Sequence, residues 1–285
     1  MLWLIYALIA AFFTGANSLF HRAIMLKEDT MSYACIFQYL AALFFIPFLV
    51  MEFAIPFKVF PWVLVVIASA LWAIETFAAF EAFTHVPVSI RTPIDQVKLV
   101  FILILSVLFL SEALFIEKII GTLLIFAGVF MLTYEKKRWF AGFAGKGVKL
   151  VFLSAFVFSL VTIVDKAALA YFPAGTYGFI VFLLPAVMLT PFLRKKKNEV
   201  RQLFRQSWLL MVGAVVLSIL AYYFRLKAFS VAESSLAFPI TRLGILVSVL
   251  GGILFLNERD FIARKMIAAV IAIIGASLIA GAFSF

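Results

Sequence analysis

The stretch LFLSE, residues 108–112, recurs in the second half of the chain as LFLNE, residues 254–258. At the same offset of 146 residues, Pro93 in the first half corresponds to Pro239 in the second. Further pairs fall in nearly the same register: Ser32 with Thr176, Pro47 with Pro191, Trp62 with Trp208, and Ser89 with Ser235. Matched proline, tryptophan and glutamate positions in one register predict that the chain consists of two related halves.

The composition places the chain in a membrane. Hydrophobic residues make up 66% of the sequence and charged residues 13%, and the mean hydropathy is +1.17. Soluble domains carry charges on about a quarter of their residues. The apolar runs are continuous and reach about 20 residues, the length that an α-helix needs to cross a bilayer, whereas the strands of a membrane β-barrel alternate apolar and polar residues. The sequence therefore predicts an all-α integral membrane protein.

Ten apolar segments qualify as transmembrane helices. They lie at about 2–20, 32–51, 60–83, 88–110, 116–134, 150–169, 174–193, 208–228, 234–256 and 262–283. Each half, taken as residues 1–138 and 139–285, holds five of these helices. Because five is odd, the second half must enter the membrane the opposite way round, which gives the inverted-topology repeat of many secondary transporters. Substrate sites in such proteins lie near the middle of the membrane, between the repeats.

The positive charges are distributed unevenly between the two predicted membrane faces. The net charge is +10, and 17 of the 24 Lys and Arg residues fall in the connections that follow the odd-numbered helices. Basic loops of membrane proteins face the cytoplasm, so this face is predicted to be cytoplasmic, with both termini outside. The charge therefore needs no nucleic-acid partner. We expect a multi-pass protein of the plasma or inner membrane.

Residue types that build enzyme or metal sites are scarce in this sequence. The chain has one cysteine, Cys35, and two histidines, His21 and His85, which are too few for a disulfide framework or a structural zinc site. It contains no H-E-x-x-H sequence, no phosphate-binding P-loop and no paired-aspartate phosphotransferase pattern. We therefore expect neither an enzyme nor a bound cofactor or metal.

Ionisable residues within the apolar runs are candidates for a binding site. Such a side chain near the bilayer centre costs roughly 2.5–3.5 kcal/mol on insertion scales, so it tends to face the bundle interior. On the fourth predicted helix, Asp95 and Lys98 lie on one face. The position of Asp95 corresponds to Thr241 on the ninth predicted helix. Arg242 lies one step round that helix. These residues are expected to line a cavity in which Lys98 and Arg242 clamp an anionic group, and the alternative is a helix-end ion pair of Asp95 with Lys98 or Arg91.

A second polar face is predicted on the third helix, where Trp72, Glu75 and Thr76 share helical spacing. Its repeat-related face on the eighth helix includes Tyr222, and Asn17 supplies a polar group from the first helix. Glu75 has two open roles, because it could take up a coupling proton or neutralise the buried cations. We include all five residues among the predicted substrate-binding residues.

Three other acidic residues are expected near the membrane surfaces. Asp165 stands beside Lys166 and is interpreted as half of an interfacial ion pair. Glu112 and Glu258 close the LFLSE and LFLNE stretches and are expected to cap the helix that follows each of them.

The repeated motifs carry a family resemblance over essentially the whole chain. The ending LFLSE leads on to Gly121 and GVFML, and LFLNE in the second copy leads on to IIGASLIAG. In this arrangement the chain resembles the EamA-like branch of the drug/metabolite transporter superfamily. It departs slightly in the second copy, where Ile267 or Ala268 stands at the position that usually holds glycine. The resemblance implies ten helices, a central cavity built largely by the third, fourth, eighth and ninth, and export or exchange of small metabolites.

The predicted function is therefore a secondary transporter that works by alternating access around a central cavity. Its substrate is expected to be a small polar metabolite, such as an amino acid or a related zwitterion or anion, because cationic groups and carboxylates share the cavity. Membrane lipid is the other expected partner, and a coupling proton is left open. The alternatives are a multidrug exporter of the same fold and a passive facilitator or channel.

Overall fold

The structure, a computed structural model, describes residues 1–25, 28–86, 91, 94–133, 146–193, 196–247, 250 and 262–281. Within these ranges the chain is helical and contains no strand. The helices are α1 (Leu2–Met25), α2 (Thr30–Met51), α3 (Val59–His85), α4 (Val97–Leu110), α5 (Ile116–Thr133), α6 (Lys146–Ala168), α7 (Ala174–Leu193), α8 (Lys197–Gln206), α9 (Trp208–Val231), α10 (Ser234–Thr241) and α11 (Ile262–Gly281). Ser89, Pro93 and Glu258, which were used above, lie outside the described residues.

Among the described residues, six helical segments are long and apolar enough to cross a membrane. They are Met31–Met51, Val59–Ala79, Lys146–Ala168, Ala174–Leu193, Trp208–Val231 and Ala263–Gly281. Shorter apolar helices occur at Leu2–Ser18, Val97–Leu110 and Ser234–Val247. Large apolar side chains such as Val50, Leu108 and Leu209 are exposed, as side chains that face lipid are. The chain is therefore a multi-pass helical membrane protein.

The two halves of the chain pack against each other through helix pairs that the repeat relates. The most extensive packings join α1 with α9, α3 with α6, α2 with α7, and α5 with α11. Exchanging the halves converts the pair of α1 and α9 into the pair of α6 and α3. The pairs of α2 with α7 and of α5 with α11 each join a helix to its own repeat-related helix in the other half. The core lies between the halves, where Trp72 and Leu169 contact both of the largest apolar clusters.

Small residues allow α5 and α11 to approach closely. A Cβ added at Gly121 would lie 2.7 Å from the carbonyl oxygen of Gly275, and one at Gly275 would lie 2.6 Å from that of Gly121. The repeat-related contact is that of Gly128 with Ala268. A Cβ added at Gly128 would lie 2.7 Å from the carbonyl oxygen of Ala268. Ala268 therefore occupies the small-residue position of the second copy, because only small side chains permit such close helix packing.

The predicted fourth and ninth helices are interrupted at matched positions. A turn at Gln96 precedes α4, and a turn beginning at Arg242 follows α10. These two residues are 146 positions apart, which is the offset of the repeat. Hydrogen bonds of the tighter i→i+3 type occur there, from Leu99 N to the carbonyl oxygen of Gln96 and from Arg242 N to that of Pro239. The sequence analysis placed one span through each of these positions and did not predict the interruptions.

The sequence analysis also missed α8, which lies in the connection between the seventh and eighth predicted helices. Arg201 and Arg205 are exposed on this helix, whereas Leu203 is buried and packs beside Tyr33 and Met211. A helix with one charged face and one apolar face is suited to lie along a membrane surface.

Candidate functional site

A cavity of about 290 Å³ lies between five helices drawn from both halves, α1, α2, α3, α7 and α9. This volume is at the lower end of the range for ligand pockets, roughly 300–1,000 Å³, so the cavity suits a small molecule. Its lining residues are Thr14, Asn17, Ala34, Phe37, Gln38, Trp72, Glu75, Thr76, Val181, Phe182, Ser218, Ala221, Tyr222 and Arg225.

The lining residues place the cavity near mid-depth in the bundle. We name the face at which α2 ends and α7 begins the terminal face, and the face at which α2 begins and α7 ends the basic face. Ala34, Phe37 and Gln38 belong to the first three turns of α2. Along α2 the lining residues therefore lie nearer to the basic face, whereas Tyr222 and Arg225 lie nearer to the terminal face, at which α9 ends.

Five of the nine predicted binding residues line this cavity, and four do not. The lining residues among them are Asn17, Trp72, Glu75, Thr76 and Tyr222. The others are Asp95, Lys98, Thr241 and Arg242, all of which lie at or beside the interruptions of the fourth and ninth predicted helices. The hydroxyl of Thr241 donates to the carbonyl oxygen of Phe238 in its own helix at 2.7 Å.

Several polar groups of the lining residues lack a hydrogen-bond partner among the described residues. They include Oδ1 of Asn17, Oε1 of Gln38 and Nε of Arg225. Nδ2 of Asn17 donates to Oγ of Ser218 at 2.5 Å, which orients this amide. The carboxylate of Glu75 accepts from Oγ of Ser154 at 3.1 Å. Because a buried polar group without a partner costs about 1–3 kcal/mol, a ligand that bonds to these atoms would be favoured.

Arg225 is the cavity residue whose role the sequence analysis missed. Its guanidinium carbon lies 4.8 Å from the ring centroid of Tyr222 and 5.4 Å from that of Phe158. It was not among the predicted binding residues, and the structure places it in the cavity wall. A signal for it existed, because Ser218 and Arg225 lie on the face of α9 that the repeat relates to Trp72 and Ala79.

Asp165 is buried beneath the cavity wall and does not form the predicted interfacial pair. Its Oδ1 accepts from the hydroxyl of Tyr177 at 2.7 Å, and its Oδ2 accepts from that of Tyr222 at 3.1 Å. The neighbouring Lys166 points elsewhere and donates to the carbonyl oxygens of Phe229 and Ala232. The prediction failed because adjacent residues on a helix point in different directions, 100° apart, and so need not share an environment.

Three cations surround the ring of Phe158 on α6. Nζ of Lys98 lies 4.3 Å from the ring centroid, and the guanidinium carbons of Arg225 and Arg242 lie 5.4 and 5.6 Å from it. Nζ of Lys98 also lies 2.7 Å from Oδ2 of Asp95, which is the helix-end ion pair considered above as an alternative. Cations over an aromatic ring are attracted to its π-electrons, and together these three cations concentrate positive charge beside the cavity.

Glu112 does not cap the helix that follows it. Its carboxylate oxygens accept bonds from the backbone N–H and hydroxyl groups of Ser234 and Ser235, in the first turn of α10 in the other half. Burial by itself would raise the pKa of Glu112, but the bonds from Ser235 and Ser234 outweigh it and hold the pKa below its usual range. Glu112 is therefore a helix cap, as predicted, but it caps a helix of the opposite half.

Comparisons with known proteins agree with this architecture. The sequence model of the EamA-like transporter family matches residues 1–134 and again residues 145–281. A Listeria monocytogenes protein named "Putative sugar uptake protein" is 25% identical over 223 residues, which are 75% of this chain and 76% of the relative. A solved crystal structure matches with a TM-score of 0.76 at 15% identity, covering 96% of this chain and 95% of that one. At that identity the structural likeness concerns the fold alone.

Proposed function

The chain belongs to the EamA-like transporter family, and we propose that it is a secondary transporter whose small polar substrate binds in the cavity between the halves. The family is one of transporters, not of enzymes. The proposal includes ten membrane-spanning helices in two inverted five-helix repeats, 1–138 and 139–285. It is supported by the pairing of α1 with α9 and of α3 with α6, which a two-fold axis between inverted repeats would produce.

The substrate class that the cavity suits best is a zwitterion, such as an amino acid. The observation that carries this proposal is Arg225, which stacks on Tyr222 and has no hydrogen-bond partner for Nε in the described part of the chain. A planar guanidinium held by ring stacking is pre-oriented to bind a carboxylate through two parallel hydrogen bonds. Arg225 would therefore bind the carboxylate of the substrate.

The same cavity offers acceptors for an ammonium group. Glu75 contributes a carboxylate, and Asn17 and Gln38 contribute amide oxygens that no described residue bonds. An ammonium group donates three hydrogen bonds and has no acceptor, so these three oxygens match it in number and in kind. Glu75 would then balance the substrate charge, and its role as a coupling carboxylate stays a proposal that a pH gradient can test.

The predicted residues outside the cavity wall have a supporting role in this proposal. Lys98 and Arg242 would raise the electrostatic potential around Phe158, next to Arg225, and so favour an anionic group at that end of the cavity. Asp95 would limit this effect, because it is paired with Lys98. The interruption that begins at Arg242, directly after Thr241, is of the kind that transporters place beside their substrate sites.

Thermal unfolding of the detergent-purified protein against a panel of amino acids, neutral monosaccharides and lipophilic cations tests the substrate class. A ligand at 100 times its Kd stabilises the folded state by about 2.7 kcal/mol. We expect stabilisation by an amino acid, its loss in Arg225→Gln and its retention in Arg201→Gln, a matched change at an exposed arginine of α8. Amino-acid stabilisation that survives Arg225→Gln would contradict the proposed carboxylate site.

A neutral sugar is the second candidate substrate. The lining carries hydroxyl and amide groups together with Trp72, whose ring is suited to pack against a sugar, and the Listeria relative is named as a sugar uptake protein. Sugar hydroxyls both donate and accept hydrogen bonds, so they could satisfy the amide oxygens of Asn17 and Gln38 without a charged group. Stabilisation by monosaccharides that Arg225→Gln leaves unchanged would favour this candidate over a zwitterion.

Transport mode is tested in proteoliposomes. We propose export or exchange across the plasma or inner membrane, with the basic face in the cytoplasm, as the positive charges favour. Saturable counterflow is expected of a carrier, whereas flux that does not saturate would favour a passive facilitator or channel. Stabilisation by lipophilic cations alone would favour a multidrug exporter. Counterflow without a pH gradient would exclude obligatory coupling to protons.

A further inference from the structure

Glu52, at the end of α2, joins three helices at the terminal face. Its Oε1 accepts from Nζ of Lys227 at 2.9 Å and from the hydroxyl of Tyr223 at 2.8 Å, both on α9. Its Oε2 accepts from the backbone N–H of Gly175 at 2.9 Å, in the first turn of α7. Thr176 adds a hydroxyl bond to the carbonyl oxygen of Glu52. These contacts hold α2, α7 and α9 together at this face.

An aromatic contact lies one helical turn deeper than this ion pair. The ring of Phe48 stacks on that of Tyr223 with centroids 4.3 Å apart. Phe48 precedes Glu52 by four residues on α2, and Tyr223 precedes Lys227 by four residues on α9. The terminal face is therefore closed between α2 and α9 by an ion pair above an aromatic contact.

The repeat relates each part of this closure to a residue on the basic face. The offset of the repeat is 144 residues at the second helix, so Glu52 corresponds to Lys196. It is 146 residues at the third helix, so Glu81 corresponds to Lys227. The counterpart of an acid–base pair is therefore again an acid–base pair, with the two charges exchanged. The aromatic contact is matched in the same way, because Phe192 and Phe77 are the counterparts of Phe48 and Tyr223.

The basic-face counterparts stand within reach of each other. The rings of Phe77 on α3 and Phe192 on α7 have centroids 5.8 Å apart. Glu81 and Lys196 each follow one of these residues by four positions, toward the basic face. Phe77 and Phe192 thus already bring the two helices together at the level just below the charged residues.

In this structure, however, Glu81 and Lys196 face other partners. Nζ of Lys196 lies 2.7 Å from Oδ1 and 2.9 Å from Oδ2 of Asp29, at the N-terminus of α2. Oε1 of Glu81 lies 3.8 Å from Nζ of Lys146 and 3.9 Å from Nδ1 of His85. One of the two repeat-related ion pairs is therefore formed, at the terminal face, while the residues of the other are engaged elsewhere.

We propose that Glu52–Lys227 and Lys196–Glu81 are alternating gates on opposite faces, so that forming one accompanies breaking the other. The inference rests on the proposed transport function and concerns residues outside the cavity. Inverted repeats supply the physical reason, because exchanging the conformations of the two halves converts a state closed at one face into a state closed at the other. Each ion pair lost is replaced by one of the same kind, which keeps the two states close in free energy and the transition reversible.

Cysteine cross-linking in membranes tests the gates, in a Cys35→Ala background that removes the native thiol. Three double variants are treated with a short bifunctional methanethiosulfonate reagent: Glu52→Cys with Lys227→Cys, Glu81→Cys with Lys196→Cys, and Glu52→Cys with Lys196→Cys as a control across opposite faces. We expect the first two to cross-link and the third not to. The variant with cysteines at 52 and 227 still carries Glu81 and Lys196. Adding Asp29→Asn to it removes the charge that pairs with Lys196, so that Lys196 is released to pair with Glu81. This change should lower the cross-linked fraction at the terminal face at least twofold.

The outcomes separate the gates from the transport function. If both gate pairs cross-link, and Asp29→Asn lowers linking at the terminal face, the gates stand even when no substrate is transported. If the Glu81/Lys196 pair does not link in a protein that still elutes as a single species and still transports, the gates are wrong and the transport function stands. Linking of the control pair would show that the reagent reports contact without regard to face, and would overturn the inference.

Discussion

The hydroxyl of Tyr222 donates to Oδ2 of Asp165 at 3.1 Å, and this bond joins a cavity-lining side chain to an acid with no exposed surface. The other oxygen of Asp165 accepts from Tyr177 at 2.7 Å, and Tyr177 does not line the cavity. The carboxylate thus connects one tyrosine that faces the proposed substrate with one that belongs to the core. Asp165 is a positioning residue for the cavity wall.

The two tyrosines are expected to separate binding from stability. Tyr177→Phe removes a bond to a charged acceptor, worth about 1.5–3 kcal/mol, and should lower the midpoint of thermal unfolding without changing ligand affinity. Tyr222→Phe should weaken ligand binding about tenfold or more, measured by isothermal titration with the ligand that the thermal screen identifies. Equal losses of affinity in both variants would contradict the assignment of Tyr222 to the cavity wall.

Lys98 is expected to stabilise the fold through Asp95 more than it binds substrate directly. Lys98→Met leaves Asp95 without its partner at 2.7 Å, and breaking a buried pair from one side costs about 3–5 kcal/mol. The double change of Asp95→Asn with Lys98→Met should recover most of this loss, because no uncompensated charge remains. Thermal unfolding of the single and double variants gives the comparison.

The double variant also decides between the two roles considered for Lys98. If Lys98 only supports the cavity wall, the stable double variant should bind ligand within about a factor of five of the wild type, in line with the small effect of a distant screened charge. Loss of binding in a double variant that unfolds at the wild-type temperature would instead establish Lys98 as an anion clamp.

Gly15 on α1 is expected to tolerate no side chain. A Cβ there would lie 2.0 Å from the carbonyl oxygen of Gly244, and one at Gly244 would lie 2.3 Å from that of Ala11. Because backbone atoms must move to admit it, Gly15→Ala should destabilise the protein by about 1–3 kcal/mol. Gly281→Ala is the matched control, since nothing lies within 4 Å of the added Cβ, and it should be neutral or slightly stabilising.

Glu112 is expected to make the folded state sensitive to acid. Its pKa is lower in the folded state than its usual value of 4.5, so its contribution is fully present above the usual value and is lost as the pH falls through the folded value. Glu112→Gln should be less stable than the wild type by about 1–2 kcal/mol at neutral pH. This difference should shrink as the pH falls below the usual value.

The control for this prediction is Glu117→Gln, at an exposed acid in the first turn of α5. Its midpoint of thermal unfolding should follow that of the wild type at every pH. A difference between wild type and Glu112→Gln that stays constant from pH 7 to below pH 4 would show that the carboxylate of Glu112 does not titrate with folding.

Composition and register were sufficient to predict a helical membrane protein built from two related halves. Continuous apolar runs of membrane length exclude a soluble core, and matched pairs such as Trp62 with Trp208 reveal the repeat without any coordinates. Five predicted binding residues, among them Glu75 and Tyr222, line the cavity, because polar groups in an apolar run have few other places to go.

Which groups meet between helices could be decided only by the tertiary structure. Asp165 and Tyr177 are joined by a hydrogen bond across 12 positions, Asp165 and Tyr222 across 57, and Glu112 and Ser234 across 122. Helical periodicity predicts the face on which a residue lies but not the helix that packs against that face. For that reason the sequence analysis placed Asp165 at the membrane surface and left Arg225 out of the binding residues, whereas helix packing buries the first and brings the second into the cavity wall.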